Sequence, residues 1–147
     1  MNFETALQSL CDAGVDFVVI GGWAAIFHGS AHVTNDLDIC YSRDSENLQK
    51  LAGTLAPYHP RPRGFPDPLP FVWDATTLAH GTIFTLTTDL GIIDLLAEVS
   101  GIGSYTAVRE ASLEVEACAA AWVPSPQKRW QHWKMASGRS CSLDSCA

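Results

Sequence analysis

The sequence predicts an α/β domain in which a mixed, twisted sheet is flanked by helices. Segments with apolar residues at helical spacing interleave with short β-branched runs and with one strictly alternating stretch, the order expected when helices and strands take turns along a chain. A length of 147 residues fits one hydrophobic core. No apolar run approaches the roughly 20 residues that a membrane-spanning helix needs, which argues against an integral membrane protein.

Phe3, Leu7, Leu10 and Cys11 lie at helical spacing, so a first amphipathic helix is expected over residues 2–13, stopped by Gly14. Residues 15–20 read as a buried strand. Gly21-Gly22 turns the chain into a short second helix over residues 23–28, favoured by Ala24 and Ala25 and stopped by Gly29. From residue 34 to 41 the period becomes two, with Leu37, Ile39 and Tyr41 on one face and Asp36, Asp38 and Cys40 on the other. Ser42 or Ser45 caps a third helix to residue 55, whose apolar stripe is Leu48, Leu51, Ala52 and Leu55. Positions 57 to 70 hold six of the eight prolines, which makes this stretch an irregular surface loop or flap. Strands follow over residues 71–73, 82–87 and 91–96, the last two joined as an antiparallel hairpin at Asp89-Leu90-Gly91. A short helix over 105–111 and a strand over 113–118 complete a domain expected to span residues 1–123. Periodicity then fades, and residues 124–147 are expected to form a terminal segment, helical over about 127–136 or partly disordered.

Sixteen acidic and nine basic residues give a net charge of −7, which disfavours nonspecific attraction to DNA. A nucleotide is not excluded, because a divalent cation at a carboxylate cluster reverses the local field. The five cysteines, Cys11, Cys40, Cys118, Cys141 and Cys146, are odd in number and widely spaced, and outline neither a disulfide framework nor a close metal knuckle. With no basic segment in the first ten residues of the kind that opens a secretory signal, the expected compartment is the cytoplasm.

The chemistry concentrates in three carboxylates. Residues two apart on a strand present their side chains to one face with Cα atoms about 6.5 Å apart, so Asp36 and Asp38 can share a cation or hold a close pair. Asp94 interrupts the apolar run Ile92-Ile93-Asp94-Leu95-Leu96, and an acid in a buried-looking strand is costly unless it is paired or ligates a metal. It is the expected third member. Upstream, Gly29-Ser30 combines close backbone approach with a hydroxyl donor, as a phosphate cradle requires.

The stretches Val19-Ile20-Gly21-Gly22-Trp23-Ala24-Ala25-Ile26-Phe27-His28-Gly29-Ser30, Thr34-Asn35-Asp36-Leu37-Asp38-Ile39 and Gly91-Ile92-Ile93-Asp94-Leu95-Leu96 resemble the polymerase beta-like nucleotidyltransferase superfamily, in particular its small bacterial members related to toxin and antitoxin nucleotidyltransferases. The resemblance runs from about residue 17 to 96 and implies a minimal nucleotidyltransferase fold. It implies magnesium or manganese on Asp36, Asp38 and Asp94, with Asp94 also preparing the attacking hydroxyl. It further implies a nucleoside triphosphate, ATP for example, held by Gly29 and Ser30, with His32 at a position where many members carry a phosphate-binding arginine. The acceptor would be a hydroxyl of a protein such as a partner toxin, of a tRNA end, or of a small molecule. A second class of function, a catalytically silent interaction module resembling an antitoxin, keeps the fold without the chemistry.

Other features carry blander expectations. Cys40 shares the acids' face but lacks a base, so it is expected to pack. Gly21-Gly22 lacks the three-glycine spacing of a dinucleotide site. Trp130 and Trp133 among Lys128, Arg129 and Lys134 read as a poorly packed or partner-covered helix rather than an RNA-stacking platform.

Overall fold

A computed structural model of the chain describes residues 2–27, 31, 33–66, 70–114 and 134–136. Helix α1 (Phe3–Asp12) opens at Asn2, whose side chain accepts a hydrogen bond from the Thr5 amide at 3.3 Å, and Gly14 just beyond its end takes φ +69°, so the predicted glycine stop is where the chain turns away. Strand β1 (Phe17–Ile20) leads directly into α2 (Gly21–Phe27), then β2 (Asp36–Tyr41) into α3 (Ser45–Leu55). A turn of 3-10 helix (Ala56–Tyr58) precedes the two-residue strand β3 (Arg61–Pro62) and the short helix α4 (Ala75–His80). The hairpin β4 (Ile83–Thr88) and β5 (Gly91–Leu96) follows, with its turn tied by Thr88 Oγ1 donating to Gly91 O at 2.7 Å. A small ribbon, β6 (Glu98–Val99) and β7 (Gly103–Ser104), then leads to α5 (Tyr105–Glu110), β8 (Ser112–Glu114) and β9 (Lys134–Ala136).

The seven-stranded sheet has the order β3-β4-β5-β2-β1-β9-β8. It is mixed, as predicted: β2 runs parallel to β5 and β1 parallel to β9, while the β1/β2, β3/β4, β4/β5 and β8/β9 pairs are antiparallel. The parallel β2/β5 pair needs a long crossover, which α3, α4 and β4 supply. On one sheet face Phe17, Val19, Leu37, Ile39, Tyr41, Leu86, Ile93 and Leu95 form the main core with Phe3, Ala6, Leu7 and Leu10 of α1, Leu48, Leu51 and Leu55 of α3, and Leu78 of α4. Each of the larger aliphatic and aromatic side chains here contributes roughly 1.5–3 kcal/mol on burial, so this face carries the stability. The other face has a smaller cluster of Val18, Ile20, Cys40 and Val108, with Leu96, Val99 and Tyr105 packed beside it.

Several expectations give way to local chemistry. Gly21 and Gly22 are the first two residues of α2 rather than a separate turn. Asp44, not Ser42 or Ser45, occupies the cap position of α3; Ser42 Oγ instead donates to Asp44 Oδ2 at 3.0 Å. Residues 71–73 form no strand. Trp73 donates its indole N–H to Ala52 O at 2.8 Å, and Asp74 caps the unanticipated α4 by accepting from the Thr77 amide at 2.7 Å. The strand expected over 113–118 is seen as β8 over Ser112–Glu114, and the rest of it lies outside the described residues. Where a helix was expected to finish, Lys134–Ala136 is a strand between β1 and β8, because the sheet offers its backbone partners on both sides. The remainder of 124–147, with its tryptophans, is outside the described residues. Among the described residues no helix is long and apolar enough to cross a membrane.

Candidate functional site

The strand pairing decides which carboxylates meet. In the parallel β2/β5 ladder Asp38 stands opposite Asp94 and Asp36 opposite Ile92, so both acids of β2 and the acid of β5 project from one sheet face, with neighbouring backbones about 4.8 Å apart. The same rows continue outward: Asp94 is opposite Thr85 of β4, and Asp38 opposite Ile20 of β1. The ladder therefore puts Asp94 on the face of both acids and directly opposite Asp38, not Asp36.

Asp38 is the focus of the cluster. Its carboxyl is pushed up to about 6, first by burial, then by the negative charges of Asp36 and Asp94, and by a hydrogen bond shared with Asp94. Asp94 Oδ1 is buried and has no hydrogen-bond partner. A buried carboxylate oxygen without a donor is costly, and Asp94 projects from the same sheet face as Asp36 and Asp38. Asp36 is held differently, since Thr34 Oγ1 lies 2.9 Å from its Oδ1 and 3.0 Å from its backbone oxygen.

The start of α2 is fitted onto this group. Gly21 has φ +68°, and a Cβ there would stand 2.2 Å from Asp38 Oδ2; one on Gly22 would stand 2.8 Å from Thr34 Oγ1. The glycine pair thus lets backbone approach Asp38 and the threonine that holds Asp36. Sequence reasoning gave these glycines only a turning role. Their signal was present nonetheless: two consecutive glycines directly after a buried strand, the second of them fourteen residues before the threonine-linked Asp36.

The acid face is closed at its other end. Cys40, the next residue on that face, is buried with Sγ 3.9 Å from Ala97 O, and burial, with a smaller contribution from Glu98, pushes its thiol up to about 11. That environment suits packing and opposes nucleophilic use. Among the described residues no group of three or more His, Cys, Asp or Glu side chains is arranged to hold a metal ion. Asp38 and Asp94 meet as a pair, with Asp36 turned onto Thr34. The expected phosphate contacts Gly29, Ser30 and His32, and His28 beside them, lie outside the described residues. Comparison of the chain with protein-family models, with curated proteins and with solved structures finds no match.

Proposed function

We propose that the chain is a metal-dependent nucleotidyltransferase that moves a nucleoside monophosphate from a nucleoside triphosphate to a hydroxyl of a protein, tRNA or small-molecule acceptor. The observation that carries this reading is the row Asp38-Asp94 with Asp36 beside it on one sheet face. The donor set suits a hard divalent cation such as magnesium or manganese: all-oxygen ligands, mutual repulsion that raises Asp38, and an orphaned buried oxygen on Asp94. Asp38 and Asp94 would hold the cation, joined by Asp36 on release from Thr34. Bound there, it would neutralise charge on the α-phosphate and on the departing pyrophosphate.

The chain's own groups account for the rest. The acceptor oxygen bonds to the α-phosphorus while the bond to pyrophosphate breaks, and the hydroxyl proton passes to the Asp94 carboxylate, which stands opposite Asp38 in the ladder. Gly21 and Gly22 let the start of α2 lie directly against the Asp38 carboxylate and the Thr34 side chain, which fill the space a Cβ would take and so hold the acids in place. Isothermal calorimetry with magnesium and a non-hydrolysable nucleoside triphosphate tests the reading. Wild type is expected to bind both together and Asp38→Asn neither, and absence of joint binding by wild type overturns it.

A second reading, a silent interaction module of the same fold, is favoured by the lack of a three-ligand group among the described residues. Labelled triphosphate supplied with magnesium and a lysate separates the two. Transfer of label with release of pyrophosphate supports the enzyme, whereas binding without any transfer supports the module.

A further inference from the structure

The proline-rich stretch contains an ordered device that no feature of the acid site requires. Pro60-Arg61-Pro62-Arg63 alternates residue types along the outer edge of the sheet, and the pairing Arg61 to Thr87 and Pro62 to Leu86 fixes which way each faces. Leu86 belongs to the main core, Pro60 is buried and Pro62 half-buried, so the prolines face inward. Arg61 shares the face of Thr87, Ile92 and Asp36 through successive opposite pairs. The ladder extends one residue further, with the Arg63 amide donating to Thr85 O at 2.8 Å, which puts Arg63 in the row of Thr85, Asp94 and Asp38. Both arginines are exposed.

The segment is anchored and stiff. Proline fixes its own φ, here at Pro60 and Pro62, and Pro62 holds Arg61 extended in β3, while His59 before Pro60 turns the chain in the left-handed conformation at φ 51°. At its start the His59 ring nitrogen lies 2.6 Å from Asp89 Oδ2 and the Asp89 amide donates to Tyr58 O at 3.0 Å. At its end Gly64 takes φ +77° and the Phe65 amide closes a turn onto Pro62 O at 3.2 Å. Between this edge and the acids the face offers the hydroxyls of Thr85, half-buried, and Thr87, exposed.

We infer that Arg61 and Arg63, with Thr85 and Thr87, hold a phosphate group carried by the acceptor, two strands away from the Asp94 carboxylate. This rests on the transfer reading of the acids. Two strand spacings place the Arg63 backbone about 10 Å from that of Asp94, and an arginine side chain reaches part of the way back. An acceptor hydroxyl at Asp94 and a phosphate at the arginines can therefore belong to one molecule. The charge arrangement also favours such a device. Before the cation is bound, a phosphate-bearing acceptor is repelled by the three carboxylates, and the guanidinium pair at the rim offsets that repulsion where the acceptor enters. The chain's net charge of −7 makes these two local cations the more consequential.

Two phosphate sources share this chemistry, a phosphodiester strand and a phosphomonoester on a small sugar. Binding to the full chain with magnesium is measured for a thymidine pentanucleotide against its uncharged methylphosphonate counterpart, and for ribose 5-phosphate against ribose. At least one phosphate-bearing probe is expected to bind about tenfold more tightly than its uncharged partner. The double variant Arg61→Gln, Arg63→Gln loses that preference, and Arg61→Lys, Arg63→Lys keeps part of it. For the pentanucleotide the salt dependence also flattens by about 0.7 per arginine removed. The probe that shows the preference identifies the source. No preference in wild type, or one that the glutamine variants retain, overturns the inference. Triphosphate binding by wild type separates the two claims: if it is present without a phosphate preference, only the acceptor site is wrong, and if the preference is present without it, the arginine site stands and the transfer reading falls.

Discussion

Strand β2 has two faces with opposite characters. Leu37, Ile39 and Tyr41 are each fully buried under α1 and α3, whereas Asp36 and Asp38 on the opposite face stay partly open and only Cys40 is sealed. One alternating hexapeptide thus contributes both to the core and to the acid cluster, because a period of two sends neighbours to different environments. The difference teaches that adjacent positions should fail in different ways: one face loses stability, and the other loses binding while stability holds or rises.

The largest effect is expected on the core face. Ile39→Ala removes a fully buried side chain from the sheet centre and should cost about 2–5 kcal/mol, read as a lower midpoint in urea unfolding. A cost below about 1 kcal/mol would mean that the two faces are not as unequal as the burial implies. Next in size is Gly21→Ala, which bridges the faces. Its backbone lies in the left-handed region, which costs a residue with a Cβ roughly 1–2 kcal/mol, and that Cβ must also displace the Asp38 carboxylate. Reduced stability together with lost metal and triphosphate binding is expected. Unchanged binding in a stably folded Gly21→Ala would show that Asp38 can move without consequence.

Asp38→Asn should have the opposite sign. The folded-state value of about 6 lies above the ordinary 3.8, so the folded chain holds its proton more tightly than the unfolded chain. Stability is then unaffected by Asp38 below about pH 3.8, falls as the pH rises towards 6, and is lowest above it. Because Asp38 is partly open to water, the gain from removing its charge is about 1–2 kcal/mol at pH 8 and close to zero at pH 4. Urea titrations of both proteins at the two pH values check this. A wild type that is more stable at pH 8 than the variant would remove the conflict between charge and fold on which the acid cluster rests.

The legible parts of the fold were those written in local pattern. The stripe Leu48, Leu51, Ala52 and Leu55, the alternation of β2 and the Gly91–Leu96 run all reappear as read, because burial on one side dictates each of them. The meeting of Asp94 with Asp38 was legible through its cost, since an acid within Ile92-Ile93 and Leu95-Leu96 needs a reason to be there. What escaped depended on distant partners. Trp73 looked like a strand residue by β-propensity, yet its N–H finds Ala52 O across the fold. Gly21 and Gly22 looked like a turn, and only the side chains of Asp38 and Thr34 show why no Cβ fits there. Arg61 and Arg63 were hidden because prolines read as loop, although prolines on the outermost strand are compatible with pairing on one side.

The smallest effect is expected at Cys40, and it tests where the open part of the acid face ends. Cys40 follows Asp38 by two residues on the same face, so a site extending along the strand would expose its thiol to small reagents. The structure instead covers it with Val108 of α5 and its neighbours, and the thiol is pushed up to about 11, leaving a negligible thiolate fraction at neutral pH. Iodoacetamide applied to the native chain at pH 7.5, followed by peptide mapping, should therefore leave Cys40 unmodified, while the same treatment in denaturant labels it fully. Magnesium and triphosphate should not change this result, because the packing around Cys40 belongs to the fold and not to the acids. Rapid native labelling would place the boundary of the open face beyond Cys40, making the acid-bearing side of β2 accessible along its whole length and weakening the division between its two ends.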